Sequence, residues 1–278
     1  MKTLTFTLLA LLAFAGNSVL CRLALGEQAI DATSFTAIRL LSGIFILVIL
    51  WAITARQPAE TKGSWKAAGY LFVYAIAFSF AYLSLDTGTG ALVLFGAVQI
   101  TMITASLVNG NRLQPLEWCG ALLAFGGFVY LVLPNVTTPS IIGFCLMAAA
   151  GIAWAFYTLA GKGSNNPLAD TTFNFLRTLP LVLLLGVVII WLGGNASIKG
   201  VMLALLSGGI TSGIGYAIWY QALRDLSALQ AAVVQLLVPV IAAGGGVVFS
   251  DEQISLRLVL AGALVLGGIL MVIMAKRR

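Results

Sequence analysis

The sequence SFTAIRLLSGIFIL spans Ser34–Leu47, and TFNFLRTLPLVLLL spans Thr172–Leu185. Both stretches open with a hydroxyl residue and Phe, carry one Arg five residues after that hydroxyl, and continue as apolar runs. Aligned without gaps, they share four residues: Phe35/Phe173, Arg39/Arg177, Leu41/Leu179 and Leu47/Leu185. Arginine inside an apolar run is rare in this chain, because almost every other charge lies in a short polar connection. The pair therefore indicates two copies of one structural unit.

Composition places the chain in a membrane. Of its 278 residues, 60% are apolar and only 9% are charged, whereas soluble domains carry about a quarter charged residues. Basic residues outnumber acidic ones by six, 15 against 9, but they follow the connections and form no stripe that would bind nucleic acid. The expected partners are membrane lipids and a small-molecule substrate, with no nucleic acid.

The chain lacks the residues on which most metal and catalytic sites depend. It contains no histidine, the commonest zinc ligand and proton shuttle, and no phosphate loop of the G-x-x-x-x-G-K-[ST] type. Its three cysteines, Cys21, Cys119 and Cys145, offer neither a disulfide framework nor metal-ligand spacing, and we expect all three to be small buried residues. We predict no metal, no cofactor and no enzymatic activity.

A membrane-spanning helix needs about 20 apolar residues, and ten such runs follow one another along the chain. They cover approximately residues 3–21, 33–54, 65–84, 89–108, 115–133, 140–159, 169–192, 200–220, 227–249 and 255–275. Ala13–Ala15 resembles a signal-peptide cleavage site, but cleavage there would remove the first helix of the first copy, so we expect the run to remain. The predicted fold class is an all-α integral membrane protein with ten transmembrane helices.

The basic residues of the connections predict the orientation. With the N-terminus inside, ten Lys or Arg residues fall on the cytoplasmic side and three on the outer side. The outer three are Arg22, Lys199 and Arg257. Because ten spans return the chain to its starting side, both termini are predicted to be cytoplasmic.

The repeat extends beyond the arginine helices. Ala13–Gly16 aligns with Ala148–Gly151 at an offset of 135, and the two arginines align at an offset of 138. We place the first repeat at residues 1–135 and the second at residues 136–278. Each copy has five spans, an odd number, so the second copy must be inverted relative to the first. Inverted repeats of this kind form transporters whose substrate site lies near the midplane, between the repeats.

Arg39 and Arg177 are the charged residues that fall inside spans. A central Arg costs about 2.5–3.5 kcal/mol on insertion scales, and less where its stem reaches the headgroups. Two interpretations stay open. The side chain anchors to headgroups or caps the carbonyls of a neighbouring helix, or it lies at the edge of a cavity and attracts a substrate carboxylate. The second applies more to Arg39, which we name as a candidate binding residue.

Further polar or amphipathic residues fall in the central thirds of spans. Interhelical hydrogen bonding is the alternative role for the amides, and the interfacial aromatic belt is the alternative for aromatic residues near helix ends, among them Trp219 and Tyr220. As binding residues, the aromatic rings would enclose the apolar part of a solute and the amides would hydrogen-bond its polar end. The candidates, besides Arg39, are Asn17, Tyr82, Gln99, Trp154, Tyr157, Tyr216 and Gln235.

Acidic residues are missing from the middle of every predicted span. Asp86, Glu117 and Asp170 stand where helices begin. A carboxylate inside the membrane is the usual proton carrier of a coupled transporter, and histidine is absent as well. Facilitated diffusion or exchange is therefore favoured over tight proton coupling.

With these features in place, the chain resembles the EamA-type transporters of the drug/metabolite transporter superfamily over essentially its whole length. The resemblance is carried by the five-plus-five spans, by the Phe-x-x-x-Arg of each second helix, and by YAIWYQA at Tyr216–Ala222, which leads through Ala228–Ala232 to Pro239. Glu252–Ile254 resembles the acidic loop of the family, and Gly267-Gly268 resembles its glycine-rich closing helix.

The resemblance implies a carrier in the cell (inner) membrane, a monomer or homodimer, that exports or exchanges amino acids, other small metabolites or amphipathic toxicants. We predict a secondary transporter of small metabolites, foremost amino acids, which works by alternating access through a cavity between helices 1, 3, 4, 6, 8 and 9. The alternatives are an exporter of lipophilic cations or drugs and a channel-like protein without alternating access. An intramembrane enzyme is disfavoured, because the usual catalytic sets need a histidine or a mid-span carboxylate pair.

Overall fold

The computed structural model describes residues 2–26, 28–54, 63–85, 87–133, 140–241 and 256–275. Within these ranges the chain forms ten helical segments, and they fall on the ten predicted runs. They are α1 Lys2–Leu25, α2 Ala32–Thr54, α3 Trp65–Ala81, α4 Thr87–Val108, α5 Pro115–Val132, α6 Ile141–Gly161, α7 Pro167–Leu192, α8 Ile198–Leu223, α9 Ala228–Ile241 and α10 Leu256–Ala275. The six helices α1, α2, α4, α6, α7 and α8 have the length and composition to cross a membrane. The predicted all-α membrane fold is confirmed; Asp86 and Glu252–Ile254 lie outside the described residues.

Three helices are interrupted near their middles. In α7, regular helix ends at Arg177 and resumes at Leu179, because Pro180 has no N–H to donate one turn back. In α9 the interruption follows Val234, which Pro239 explains in the same way. In α8 the sequence SGGITSGI, Ser207–Ile214, forms a wider π-helical stretch, a rare conformation that is frequent at functional sites.

The π-helical stretch lies against α2 with little space between the two backbones. A Cβ at Gly208 would overlap the Arg39 carbonyl and the Ser42 hydroxyl, and a Cβ at Gly213 would lie 3.3 Å from the Cα of Gly43. Small residues at such contacts let membrane helices approach closely enough for van der Waals packing. The close approach brings Ser212 within reach of the Arg39 side chain.

The packing of the helices follows the two halves of the chain. Corresponding helices contact each other, α2 with α7, α4 with α9 and α5 with α10. In addition, α3 packs on α6 while its counterpart α8 packs on α1. These pairings are the ones expected when two five-helix repeats are inverted relative to each other.

The connections meet at two opposite ends, which we call the α1–α2 end and the α2–α3 end after the loops they contain. At the α1–α2 end, Asp31 N donates to the Asn195 carbonyl at 2.8 Å and Ser197 N donates to the Ala29 carbonyl at 2.8 Å. At the α2–α3 end, Gly63 N donates to Asp170 Oδ1 and Ser64 N donates to Asn174 Oδ1, both at 2.8 Å. Each end therefore joins one half of the chain to the other.

The three cysteines are free, and their positions correct one prediction. Cys21 is buried, as expected, but Cys119 and Cys145 are exposed on the surface of α5 and α6. Lipid is as apolar as a protein core, so an apolar sequence pattern does not distinguish a lipid-facing cysteine from a buried one. No group of His, Cys, Asp or Glu in the described ranges could hold a metal ion.

Candidate functional site

An internal cavity lies between the halves, near the middle of the helices. Its volume is about 20 Å³, which is room for a single water molecule. The lining comes from α1, α3 and α4 of the first half and from α6, α8 and α9 of the second, the six helices expected from the sequence to surround it. The lining residues are Phe14, Asn17, Ser18, Tyr74, Phe78, Leu94, Phe95, Trp154, Tyr216 and Val238.

The cavity extends from mid-depth toward the α1–α2 end. Asn17 and Ser18 follow Phe14 in the direction in which α1 runs to that end, and Phe78 lies on the corresponding side of Tyr74 in α3. Leu94 and Phe95 belong to the first half of α4, which begins at the same end.

Aromatic rings form one wall of the cavity. The Trp154 ring lies 5.2 Å from Phe14, 4.9 Å from Tyr74 and 4.7 Å from Tyr216, measured between ring centroids. The Phe14 contact is edge-on, with an interplanar angle of 89°, a favoured geometry for aromatic pairs. Such a wall offers large, rigid apolar faces to a ligand.

Arg39 lies immediately behind this wall. Its side chain is 1% exposed, so the headgroup-anchor interpretation is wrong for Arg39. Nε donates to Ser212 Oγ at 2.9 Å, and Nη2 donates to the Tyr216 hydroxyl at 2.7 Å and to the Tyr74 hydroxyl at 3.4 Å. Nη1 is buried and has no hydrogen-bond partner among the described residues. Arg39 is not part of the cavity lining itself; it contacts two lining residues, Tyr74 and Tyr216, through their hydroxyls.

Asn17 is a polar residue of the lining itself. Its Oδ1 accepts a hydrogen bond from Ser207 Oγ at 2.7 Å and lies 3.2 Å from Thr211 Oγ1, whose single hydrogen has a nearer acceptor in the Ser207 carbonyl at 2.9 Å. Both residues belong to the π-helical stretch of α8. With the oxygen occupied, the amide NH₂ is the group of Asn17 that is available to a ligand.

Gln99 and Gln235 lie behind the lining, not on it. Gln99 Nε2 donates to the Ala232 carbonyl at 2.8 Å, and Gln235 Nε2 donates to the Ala231 carbonyl at 2.8 Å. Gln235 Oε1 accepts a hydrogen bond from Trp154 Nε1 at 2.6 Å. These bonds match the interhelical alternative, and Gln235 also fixes the orientation of Trp154. A direct contact of either amide with a solute stays a prediction.

Three buried aromatic residues, which we call the aromatic plug, fill the space between the cavity and the α2–α3 end. They are Tyr157, Trp219 and Tyr220, each at most 1% exposed. Tyr220 stacks at 5.0 Å on Tyr157 and donates to its backbone carbonyl at 3.0 Å. Trp219 and Tyr220 are therefore interior residues, and their alternative assignment to the interfacial belt is wrong. The plug borders the cavity, since Trp219 contacts Phe14 at 5.5 Å and Tyr157 contacts Trp154 at 5.6 Å between ring centroids.

Tyr82 and Arg177 lie away from the cavity lining. Tyr82 ends α3 and packs edge-on against Phe78, with ring centroids 4.8 Å apart. The half-buried Arg177 donates to the Phe173 carbonyl of its own helix at 3.1 Å, and its guanidinium lies over the ring of Trp65. The bond caps a carbonyl of its own helix rather than of a neighbouring one, so the headgroup-anchor interpretation of Arg177 stays a prediction.

Seven of the ten lining residues were not among the sequence candidates, and one of them is Tyr74, which accepts a hydrogen bond from Arg39. Tyr70, Tyr74, Phe78 and Tyr82 follow one another at intervals of four, which places them on one face of α3. This aromatic face could have been found in the sequence. Tyr74 stands out among its four residues because it lies closest to the middle of α3.

Comparison with known proteins adds an independent finding. The profile of the EamA-like transporter family matches residues 1–133 and 141–274. An uncharacterized protein of Pseudomonas aeruginosa is 49% identical over 274 residues, covering 98% of this chain and 94% of that protein. An uncharacterized transporter of Archaeoglobus fulgidus is 28% identical over 205 residues, 72% of this chain and 73% of the relative.

Two more distant similarities complete the comparison. A probable amino-acid metabolite efflux pump of Escherichia coli K12 is 23% identical over 210 residues, 70% of each chain. A protein of known crystal structure superposes with a TM-score of 0.80 at 21% sequence identity, covering 99% of this chain and 98% of the other. At that level of identity the superposition supports the fold alone.

Proposed function

The chain belongs to the EamA-like transporter family and is a membrane transporter, and on that premise we propose that it exports or exchanges amino acids by alternating access. The observation that carries the proposal is the cavity, which both halves line and which the buried aromatic plug borders on one side. A cavity of about 20 Å³ is far smaller than an amino acid, so solute binding requires the helices to separate. Transport then follows if opening alternates between the two ends.

Three interruptions in the helices supply flexible points for this movement. The π-helical stretch of α8 and the proline interruption of α9 both lie on helices that line the cavity, and α7 is interrupted at Thr178. Interrupted backbone bends more readily than continuous helix. We propose that the halves at residues 1–135 and 136–278, which nearly coincide with the two ranges matched by the family profile, move relative to each other about these points.

The amino-acid assignment rests on the chemistry of the cavity and on one relative. Trp154 and Tyr216 would enclose an apolar side chain, Asn17 would donate to a polar end, and Gln235 would hold Trp154 in place. Gln99, Tyr82 and Tyr157 would act from outside the present lining once the helices separate. The E. coli relative, named a probable amino-acid metabolite efflux pump, supports this class of solute.

The location and orientation follow from the charges. We propose that the protein lies in the cell (inner) membrane with both termini in the cytoplasm, which makes the α2–α3 end the cytoplasmic end. In that orientation the aromatic plug lies on the cytoplasmic side of the cavity, which extends toward the outside.

A lipophilic-cation exporter is the second candidate. It is favoured by the aromatic wall, because cations bind over aromatic faces, and none of the lining residues is charged. The buried Arg39 opposes it, because a fixed positive charge behind Tyr74 and Tyr216 repels a cation.

Counterflow in proteoliposomes tests the proposal. Vesicles containing the purified protein are preloaded with mixed amino acids, and entry of labelled phenylalanine, threonine and methionine is followed with and without a pH gradient. We expect accelerated entry without a gradient, relative to vesicles lacking the protein. Movement of lipophilic cations with none of the amino acids would contradict the substrate class, and entry that preloading does not accelerate would indicate a channel.

A further inference from the structure

We infer that Tyr74 is the residue by which the cavity recognises its solute, that it binds a carboxylate, and that Arg39 is a positioning residue behind it. The inference rests on the proposed function and deepens it by naming the group that is recognised. The solute class is an organic carboxylate with an apolar, foremost aromatic, body. Neither the sequence pattern nor the family membership assigns a role to Tyr74.

The first step counts the hydrogen-bond donors and acceptors of Arg39, Tyr74 and Tyr216. A guanidinium only donates, and each phenol has a single hydrogen to donate. Arg39 Nη2 donates to both tyrosine oxygens, and the Tyr216 hydroxyl donates its hydrogen to the Tyr74 oxygen at 3.3 Å. The Tyr74 oxygen therefore accepts twice, and its own hydrogen forms no bond within the described part of the chain. Tyr74 is one of the residues that line the cavity, so we assign this unused hydrogen to an acceptor on the ligand.

The second step is the charge behind this donor. Arg39 is buried at 1% exposure, and its hydrogen bonds among the described residues all go to hydroxyl groups rather than to a carboxylate. Donation from a cation polarises the chain of hydroxyls, and charge-assisted hydrogen bonds are roughly twice as strong as neutral ones. The polarised end of the chain is the Tyr74 hydroxyl, so an anionic acceptor is favoured there.

The third step is the rest of the lining. Asn17 adds a second donor, because its oxygen accepts a hydrogen bond from Ser207 Oγ and its amide NH₂ is left for the ligand. The lining contains no Asp or Glu that would balance a ligand ammonium group, which leaves the aromatic faces of Trp154 and Phe14 for a cation or an apolar ring. Donors on one side and aromatic faces on the other suit a carboxylate with an aromatic body.

The test compares three solutes of one shape on the wild-type protein: phenylalanine, 3-phenylpropionate, which lacks the amino group, and phenethylamine, which lacks the carboxylate. Each competes with labelled phenylalanine in counterflow, and each is titrated against the thermal unfolding of the purified protein, which reports binding without transport. We expect 3-phenylpropionate to retain competition and phenethylamine to be at least tenfold weaker. Equal potency of the amine would overturn the inference while leaving the transport function intact.

Two variants complete the test. Tyr74→Phe removes the hydroxyl and keeps the ring, and we expect about a tenfold rise in KM for phenylalanine, little change in maximal rate, and loss of the preference for the carboxylate. Tyr70→Phe, one turn away and stacked on Phe156 outside the lining, is the control and should match the wild type. A Tyr74→Phe protein that keeps the wild-type preference would overturn the inference. Failure of every solute to bind or move would overturn the proposed function with it.

Discussion

At the residue scale, the buried charge of Arg39 is the feature that most needs an explanation. A buried charge is destabilising unless it is hydrogen-bonded and balanced. Arg39 is hydrogen-bonded through Nε and Nη2, but Nη1 has no partner in the part of the chain that the structure describes. A solute carboxylate near Tyr74 would supply the missing negative charge. A buried arginine at this position therefore fits a protein that binds an anionic solute better than a helix bundle without a ligand.

Arg39→Gln should therefore raise KM for phenylalanine more than it changes binding of phenethylamine, because only the carboxylate interacts favourably with the buried cation. Arg39→Lys keeps the positive charge but loses the planar guanidinium that donates to both tyrosine hydroxyls. The preference for the carboxylate should therefore be weaker than in the wild type and stronger than in Arg39→Gln. The ratio of the two KM values, measured by counterflow competition, is the readout. Equal losses for both solutes, or none, would assign Arg39 a purely structural role.

The contact of Gln235 with Trp154 allows a second residue-scale prediction. Trp154 is 4% exposed and donates to Gln235 Oε1 at 2.6 Å. Gln235→Leu leaves this buried donor unpaired, which costs about 1–3 kcal/mol, and it should lower the thermal unfolding midpoint and raise KM. Trp154→Phe leaves the Gln235 oxygen unpaired instead. The double variant removes both groups, so its loss of stability should be smaller than the sum of the single losses; strict additivity would contradict the role of this bond.

The residues also show the limit of sequence reasoning at this scale. The depth of Arg39 in its helix was readable from the sequence, whereas its surroundings were not, since lipid and protein interior are equally apolar. Trp219 and Tyr220 illustrate the same ambiguity, because an aromatic residue near a helix end suits both the interfacial belt and a packed plug. The actual surroundings depend on the neighbouring helix, which no local pattern encodes.

At the element scale, the pairing of α5 with α10 depends on glycine. A Cβ at Gly127 would lie 2.6 Å from Leu264 Cβ, whereas a Cβ at the adjacent Gly126 would have no neighbour within 4 Å. Gly127→Ala should therefore separate the helices and lower the unfolding midpoint. Gly126→Ala should be neutral or stabilising, because alanine is favoured over glycine in a helix by about 1 kcal/mol.

Both glycine variants should retain the wild-type KM, since neither α5 nor α10 contributes to the cavity lining. Thermal unfolding in detergent and counterflow on the same preparations measure the two effects separately. Similar midpoints for both variants would show that the close approach does not stabilise the pair.

Helices were the part of the structure that sequence predicted best. About 20 apolar residues are needed to span a bilayer, and hydropathy alone therefore located all ten runs. The interruption of α9 has a local cause in Pro239, which lacks a backbone N–H. The π-helical stretch at Ser207–Ile214 could not be predicted from the sequence, because glycine permits several backbone conformations and the close approach to α2 selects among them.

At the scale of the whole molecule, the two ends are held by different contacts, and alternating access requires that they open in turn. At the α2–α3 end, Asp170 accepts hydrogen bonds from Gly63 N and from Ser164 Oγ. At the α1–α2 end, Asp31 accepts from Ser34 N and Asn195 N, both at 2.9 Å. The two aspartates are thus matched positions, one at each end.

The ionisation of Asp31 does not change in the physiological range. Partial burial raises its pKa, but hydrogen bonds from Ser34 and Asn195 outweigh this, and the pKa lies below the ordinary 3.8. A carboxyl group with a lowered pKa contributes stability that is complete above its unfolded pKa and is lost as the pH falls through the lowered one. Contacts at the α1–α2 end should therefore not weaken between pH 5 and pH 8.

Asp170→Ala should shift the molecule toward opening at the α2–α3 end, and Asp31→Ala should shift it toward opening at the α1–α2 end. Losing about 1 kcal/mol from one end changes the ratio of the two states about fivefold. A reporter thiol is provided by Ser18→Cys, on the cavity lining, in a background that carries Cys21→Ser, Cys119→Ala and Cys145→Ala and retains counterflow.

Labelling of this thiol by a membrane-impermeant maleimide, added from each side of oriented vesicles, measures which end is open. Asp170→Ala should increase labelling from the α2–α3 side and decrease it from the other, and Asp31→Ala should do the reverse. The opposite signs distinguish the mechanism from general loosening, because a destabilised fold becomes more reactive from both sides. If both variants raise labelling from both sides together, the two aspartates support general stability and do not select which end is open.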